Sequence, residues 1–403
     1  MKYFLLILFA VPMLSCQNKP SDRLKQGEWL GFLQLNADVR LPFNFEVTSG
    51  HSLQITNADE VILVDDISYQ KDSIRIQMPV FEGYFQVKLS DERMVGVYVN
   101  ESMNMEIPFE ADFAIKERFE TQNSPQINVA GNWEVLFTPK GDGEGYAAKG
   151  VFEQQGKRVT GTFQTKTGDY RYLEGVVDGD QLKLSTFDGA HAYLFLATVK
   201  DSTLQGVFYS STTWQADFEA QRNEDFQLPD ANTLTTFNDA YERLEINFPD
   251  EKGQLVSLTD PQFKDKVVVV QLMGTWCPNC LDESTYFTEF YKNNADKDIA
   301  FVALAFENAK TEALAFAAIK RLKDRLGITY PILLAQHGGS DKLAAHKKLP
   351  MLSEVMSYPT TIFLDRTGTV RKIHTGFNGP ATGEKYVAFK KEFNSYLDEL
   401  LAE

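Results

Sequence analysis

Cysteine is almost absent from this chain, with three in 403 residues, at positions 16, 277 and 280. That scarcity excludes a disulfide-stapled scaffold. Cys277 and Cys280 have the spacing of half a zinc site, but such a site needs two further ligands. The five histidines, at 51, 191, 337, 346 and 374, form no paired cluster to supply them, so no metal is expected. Positive charge is also short, with 40 Lys and Arg against 56 Asp and Glu and a net charge of −16. Without a surplus to neutralise phosphates, nucleic acid is excluded as a partner. A disulfide across so short a loop constrains the unfolded chain little, so the pair is no structural staple. Redox chemistry is what remains for two thiols placed three apart.

What is present centres on Val267-Val-Val-Val-Gln-Leu-Met-Gly-Thr-Trp-Cys277-Pro-Asn-Cys280. A short β-branched apolar run reads as a strand buried on both faces. Pro278 suits the first turn of a helix, where its missing N–H costs nothing. Cys277 is then expected to cap the helix and point outward, with Cys280 one turn in on the same side. The unpaired N–H groups and positive dipole end favour a thiolate at Cys277. Cys277 is therefore expected to attack and Cys280 to resolve, the redox-active disulfide between them serving in place of a cofactor.

Only one long apolar run stands apart from the fold. Lys2 and the stretch Tyr3–Leu14 read as a leader too short to span a membrane as a mature helix. Its end, Met13-Leu-Ser-Cys16, resembles the lipobox of bacterial lipoprotein signal peptides. The resemblance implies cleavage before Cys16, lipidation of that cysteine and attachment to a membrane, facing the periplasm. Gln17, in place of the aspartate associated with inner-membrane retention, favours the outer membrane. Residues 1–15 are thus assigned to a signal peptide and 16–25 to a tether.

Residues 26–222 alternate apolar and polar positions in short runs separated by turn residues, as in Ser73-Ile-Arg-Ile-Gln-Met and Tyr193-Leu-Phe-Leu-Ala. The two halves echo each other: Gly27-Glu-Trp29 matches Gly131-Asn-Trp133, and Met94-Val-Gly96 matches Leu204-Gln-Gly206. This predicts a duplicated antiparallel meander, copy one over 26–122 and copy two over 123–222. Trp29 and Trp133 are expected in the core. No catalytic constellation stands out there, and the module reads as a spacer or a partner-binding unit. Residues 223–245 form a connector with one candidate helix, Leu234–Leu244.

From about Ile246 strands and helices alternate, the pattern of an α/β sheet. Expected elements are a hairpin from Ile246, strand 267–273, helix 278–293, strand 299–306, helix 310–326, strand 330–335, a short helix near 340–348, hairpin 360–375 and helix 383–402. Trp276-Cys-Pro-Asn-Cys280 after a buried strand, followed by Tyr358-Pro-Thr-Thr-Ile-Phe-Leu-Asp365, resembles the thioredoxin superfamily. The surrounding residues resemble its TlpA/ResA branch of thiol–disulfide oxidoreductases. Residues 246–403 are thus expected to form a thioredoxin-like domain, and the whole chain to be multidomain, all-β followed by α/β.

The resemblance implies a cis bond before Pro359 and a substrate-binding role for Trp276, Tyr358 and Pro359. It also implies a proton-shuttling role for Glu307 beside a buried Cys280. It implies disulfide-bearing exported proteins as clients, cytochrome c biogenesis among their settings, and recharging by a membrane reductant of the DsbD/CcdA type. Two departures stand out: Gln271 occupies a position where thioredoxins carry an acid, and Pro278 follows the first cysteine instead of preceding the second. A peroxiredoxin-like peroxidase is the enzymatic alternative, but the Pro-x-x-x-Thr-x-x-Cys run it needs is missing. A ligand-binding β-module with an accessory redox domain is the other.

Overall fold

The computed structural model describes residues 23–403. The expected leader, the lipidated Cys16 and most of the tether lie outside the described residues. Nine strands form the first sheet: β1 (Gly27–Gln34), β2 (Arg40–Ser49), β3 (Ser52–Asn57), β4 (Glu60–Val64), β5 (Asp66–Gln70), β6 (Ser73–Gln77), β7 (Tyr84–Ser90), β8 (Arg93–Asn100) and β9 (Met105–Phe113). Their order is 4-3-2-1-9-8-7-6-5, so two meanders meet where β1 pairs with β9, and the sheet is open between β4 and β5.

The second sheet repeats the plan and closes. It comprises β10 (Gly131–Pro139), β11 (Tyr146–Gln155), β12 (Arg158–Thr165), β13 (Gly168–Asp169), β14 (Leu173–Asp178), β15 (Gln181–Phe187), β16 (Ala192–Lys200), β17 (Thr203–Ser210) and β18 (Trp214–Arg222). Pairing of β11 with β12, and of β10 with both β11 and β18, makes a barrel, with the short β13 folded onto the end of β12. Inward side chains fill it: Trp133, Phe137, Phe163, Phe195, Phe208 and Phe218 are all fully buried. An eight-stranded barrel has room inside for little more than its own side chains, so this one has a core and not a lumen.

The duplication is visible at atomic detail. Trp29 and Trp133 are both fully buried, and each indole N–H donates to the carbonyl four residues earlier, Lys25 at 3.0 Å and Val129 at 2.9 Å. Gly27 and Gly131, two residues before them, both take positive φ, +125° and +110°. The two β units are fused through Phe187, which packs on Phe43 with ring centroids 4.7 Å apart. Asn57 Nδ2 donates to the Phe187 carbonyl, and Tyr98 Oη donates to the carbonyl of Gly189.

A short hairpin, β19 (Phe248–Pro249) with β20 (Leu255–Val256), opens the C-terminal α/β part. Then come β21 (Val267–Met273), α1 (Pro278–Asn293), β22 (Ile299–Phe306), α2 (Glu312–Leu326), β23 (Ile332–Gln336), α3 (Lys342–Lys348), β24 (Thr360–Leu364), β25 (Val370–Thr375) and α4 (Glu384–Ala402). The sheet order is 23-22-21-24-25, the first three parallel and the last two antiparallel. Every residue of β21 and β22 is buried, as strands between helical layers require, and Gln271 is the one polar side chain among them. Thr311 caps α2 through its hydroxyl, and Gly327 ends it at φ +69°. Helix α2 also docks on the open edge of the first sheet, Arg325 Nη1 and Nη2 donating to Asp65 and the Leu63 carbonyl.

The helix expected over Leu234–Leu244 does not form. That stretch runs as a strap across the α/β part, with Asn238 N–H donating to the Met351 carbonyl at 2.7 Å and the Thr236 carbonyl accepting from Ser353 N–H at 2.8 Å. Its backbone groups find partners in residues 351–353, which removes the reason to coil.

Candidate active site

Gly274 ends β21 where a side chain would have no room, since a Cβ there would lie 2.3 Å from Trp276 Nε1. The indole folds back across it and donates to the Phe306 carbonyl at 2.9 Å. That turn delivers Cys277 to the N-cap of α1, with extended backbone (φ −100°, ψ 113°) and Pro278 at the first helical position. Its Sγ accepts the Cys280 N–H at 3.2 Å. The two cysteines are disulfide-bonded, their Cα atoms 5.2 Å apart.

Facing them is the Tyr358–Pro359 peptide, which is cis. Cys277 Sγ lies 3.5 Å from the Tyr358 carbonyl oxygen, and the Tyr358 ring meets Trp276 edge-on with centroids 6.0 Å apart. The structure therefore brings Trp276, Cys277, Tyr358 and Pro359 together.

It does not leave Cys277 open to solvent, as its helix-capping position suggested. Cys277 is 6% exposed and Cys280 fully buried. The turn between β12 and β14 lies over the pair. Asn279 Nδ2 donates to the Asp169 carbonyl at 3.2 Å, Gly379 N–H to Asp169 Oδ2 at 2.6 Å, and Ser357 Oγ to the Thr167 carbonyl at 3.3 Å. Gly168 forms a parallel bridge to Phe377. Arg171 anchors this roof: Nη1 donates to the Pro278 carbonyl at 3.0 Å and pairs with Asp282 on α1 at 2.5 Å, while its other nitrogens meet Glu60 and Asp188. One buried guanidinium thus ties both β units to the helix that carries the cysteines.

Glu307 follows β22 and is 2% exposed, so it is no strand-end acid in solvent. Both of its oxygens are engaged by Thr275, from the N–H at 2.9 Å and from the hydroxyl at 2.6 Å. Burial pushes its carboxyl up to about 7. In this position it braces the turn that precedes Cys277.

A second acid escaped the sequence reading. Glu283, fully buried, lies three residues beyond Cys280 on α1, a spacing that makes the two side chains neighbours on one helix face. Gln271 Nε2 and Thr361 Oγ1 each donate to it at 2.8 Å. Burial pushes its carboxyl up to about 8, against the opposing pull of those two hydrogen bonds. The acid missing at position 271 has been replaced by one reaching back to the Gln271 amide from the helix. The i, i+3 spacing from Cys280 was the available signal.

Residues 227–388 match the Redoxin family. The thioredoxin-like protein YneN of Bacillus subtilis is 32% identical over 124 residues, covering 31% of this chain and 64% of that protein. The thiol-disulfide oxidoreductase ResA of Geobacillus thermodenitrificans is 30% identical over 127 residues, covering 32% of this chain and 63% of the relative. The chain thus spans a little under two thirds of the length of these relatives. Among solved structures, a thioredoxin-family thiol:disulfide interchange protein of Chlorobium tepidum covers 37% of the chain and 94% of its own length, at 20% identity and a TM-score of 0.28.

Proposed function

We propose that this chain, whose C-terminal domain is TlpA/ResA-like and belongs to the thioredoxin superfamily, is a thiol–disulfide oxidoreductase working outside the cytoplasm. The observation that carries the reading is Cys277 at the N-cap of α1, bonded to Cys280 and set against the carbonyl that precedes a cis proline.

In the reduced protein the Cys277 thiolate attacks one sulfur of a substrate disulfide. A mixed disulfide forms and the first thiolate leaves. Cys280 gives its proton to the Glu283 carboxylate beside it, then attacks Cys277 and expels the second thiolate. The substrate gains two electrons, and the dithiol becomes the disulfide seen here, with the proton held on Glu283. Thr361 and Gln271 hold that carboxyl in place, and Trp276 and Tyr358 wall the attacking sulfur.

Exported disulfide-bearing chains are the proposed clients, and a membrane thiol reductant of the DsbD/CcdA type the proposed source of electrons. The lipobox-like Met13-Leu-Ser-Cys16 supports that placement, with Cys16 as the proposed lipid anchor; among the described residues no helix is long and apolar enough to cross a membrane. Cys277→Ser should abolish turnover of oxidised glutathione with a dithiol donor, while Cys280→Ser should accumulate mixed disulfide. Unchanged turnover in both variants would overturn the assignment.

A further inference from the structure

The β12–β14 turn does more than touch the redox domain, because it walls a half-open cavity of about 620 Å³ lined in part by Cys277. That volume suits a compact ligand. Its walls are Tyr146 and Tyr193 from the barrel and Trp276 and Tyr358 from the redox domain. The roof is held by the Asp169, Thr167 and Arg171 contacts, and it fits closely. A Cβ on Gly168 would lie 2.1 Å from Asn279 Nδ2, and one on Gly376 would lie 2.5 Å from the Thr167 carbonyl. With this turn in place a small disulfide has freer approach to Cys277 than one displayed on a folded surface.

The cavity also has a charge. Lys166 and Lys342 both line it, and neither forms an ion pair among the described residues, although the chain carries a net −16. The one lining carboxylate, Asp169, is already satisfied by the backbone N–H groups of Gly379 and Arg171. The third basic side chain, His191, is turned to Asp188 at 3.3 Å. Two unpaired cations beside aromatic walls favour a ligand bearing carboxylates, held by charge at one end and by ring contacts around the sulfur.

We infer that the chamber between the second barrel and the redox domain is the substrate site, and that it selects small disulfides bearing carboxylates. This rests on the thiol–disulfide exchange reading above and departs from it in the clients, placing small disulfides ahead of exported protein ones. The Cys277 thiolate forms a bond to one sulfur of the bound disulfide and the S–S bond breaks, releasing one small thiolate. Cys280 then closes the enzyme disulfide and releases the second. Two electrons pass from the dithiol to the substrate, and the Cys280 proton passes to Glu283.

The test uses the full chain, pre-reduced and freed of reductant, with the second-order rate of its oxidation measured against three disulfides: oxidised glutathione (anionic), cystamine (cationic) and insulin (a protein). Oxidised glutathione should exceed cystamine by roughly tenfold or more at low salt, as complementary charge raises encounter. The preference should shrink as salt rises. In a Lys166→Gln/Lys342→Gln variant the glutathione-to-cystamine ratio should fall toward one, and insulin should be the slowest oxidant of the intact protein. Equal rates for the two small disulfides, a ratio unmoved in the double variant, or insulin as the fastest oxidant would overturn the chamber as a selective site while leaving the exchange reading intact. No oxidation by any of the three would overturn the exchange reading itself.

Discussion

Glu283 has no exposed surface and a carboxyl raised to about 8, so at neutral pH it is mostly protonated in the disulfide form. Two consequences follow, with opposite dependence on pH. As proton acceptor for Cys280 it must first be ionised, so release of the mixed disulfide should quicken as pH rises through about 8. Glu283→Gln should abolish that rise and slow release by ~10²–10⁴-fold, the usual contribution of a positioned base. Single-turnover kinetics between pH 6 and 9.5 would check this, and an unchanged profile would return the proton to solvent. Stability runs the other way. The folded state holds a proton that the unfolded chain, with its carboxyl near 4.5, gives up. The contribution is therefore complete below about 4.5 and is lost as pH climbs to about 8, at up to about 1.4 kcal/mol per unit. Urea midpoints of the oxidised protein should fall across that window, less steeply in Glu283→Gln.

At the level of elements, the sequence was most legible where one segment supplies its own reason to fold. Val267–Met273 is apolar but for Gln271 and every residue is buried, and Cys277-Pro278 begins a helix where a cap and a first-turn proline belong. The strand alternation in residues 27–222 was equally plain, and so was the internal repeat. Gly96 and Gly206 show why that repeat survives, since a Cβ would lie 2.1 Å from the Gln86 carbonyl oxygen in one and 2.4 Å from that of Leu196 in the other. Gly206→Val should force β16 and β17 apart and lower the melting temperature by an amount worth at least ~1–3 kcal/mol. Gly156→Ala, at φ +60° with open space around it, should cost ~1 kcal/mol or less. Thermal denaturation of the two variants would separate crowding from backbone preference. Less legible was whatever depends on distant partners. The strap over 234–244 takes its hydrogen bonds from residues more than a hundred positions away, and the polar Thr165–Arg171 turn reads as an ordinary hairpin until its contacts with Asn279, Ser357 and Gly379 are seen.

For the molecule as a whole, the consequence is that the β units and the redox domain share one site. Arg171 joins Glu60 of the first unit, Asp188 of the second and Asp282 of α1, all largely buried. Arg171→Met would leave three carboxylates without their cation, a loss on the order of 3–5 kcal/mol. The roof should then loosen, and Cys277 in the pre-reduced variant should react with a bulky maleimide several times faster than in the parent protein. Circular dichroism would establish that the variant is folded, and an unchanged alkylation rate would show that Arg171 does not hold the roof closed. Arg171→Lys, keeping the charge but losing the fork that spans three partners, should fall between the two.

The most direct measurement is peptide mass analysis of what remains covalently attached after the reduced Cys280→Ser protein meets oxidised glutathione. A single glutathione adduct on Cys277, near one per chain and absent from the parent protein, is the predicted result. A reduced protein that carries no adduct, or a Cys277→Ser variant that carries an equal one on Cys280, would contradict the roles assigned to the two sulfurs.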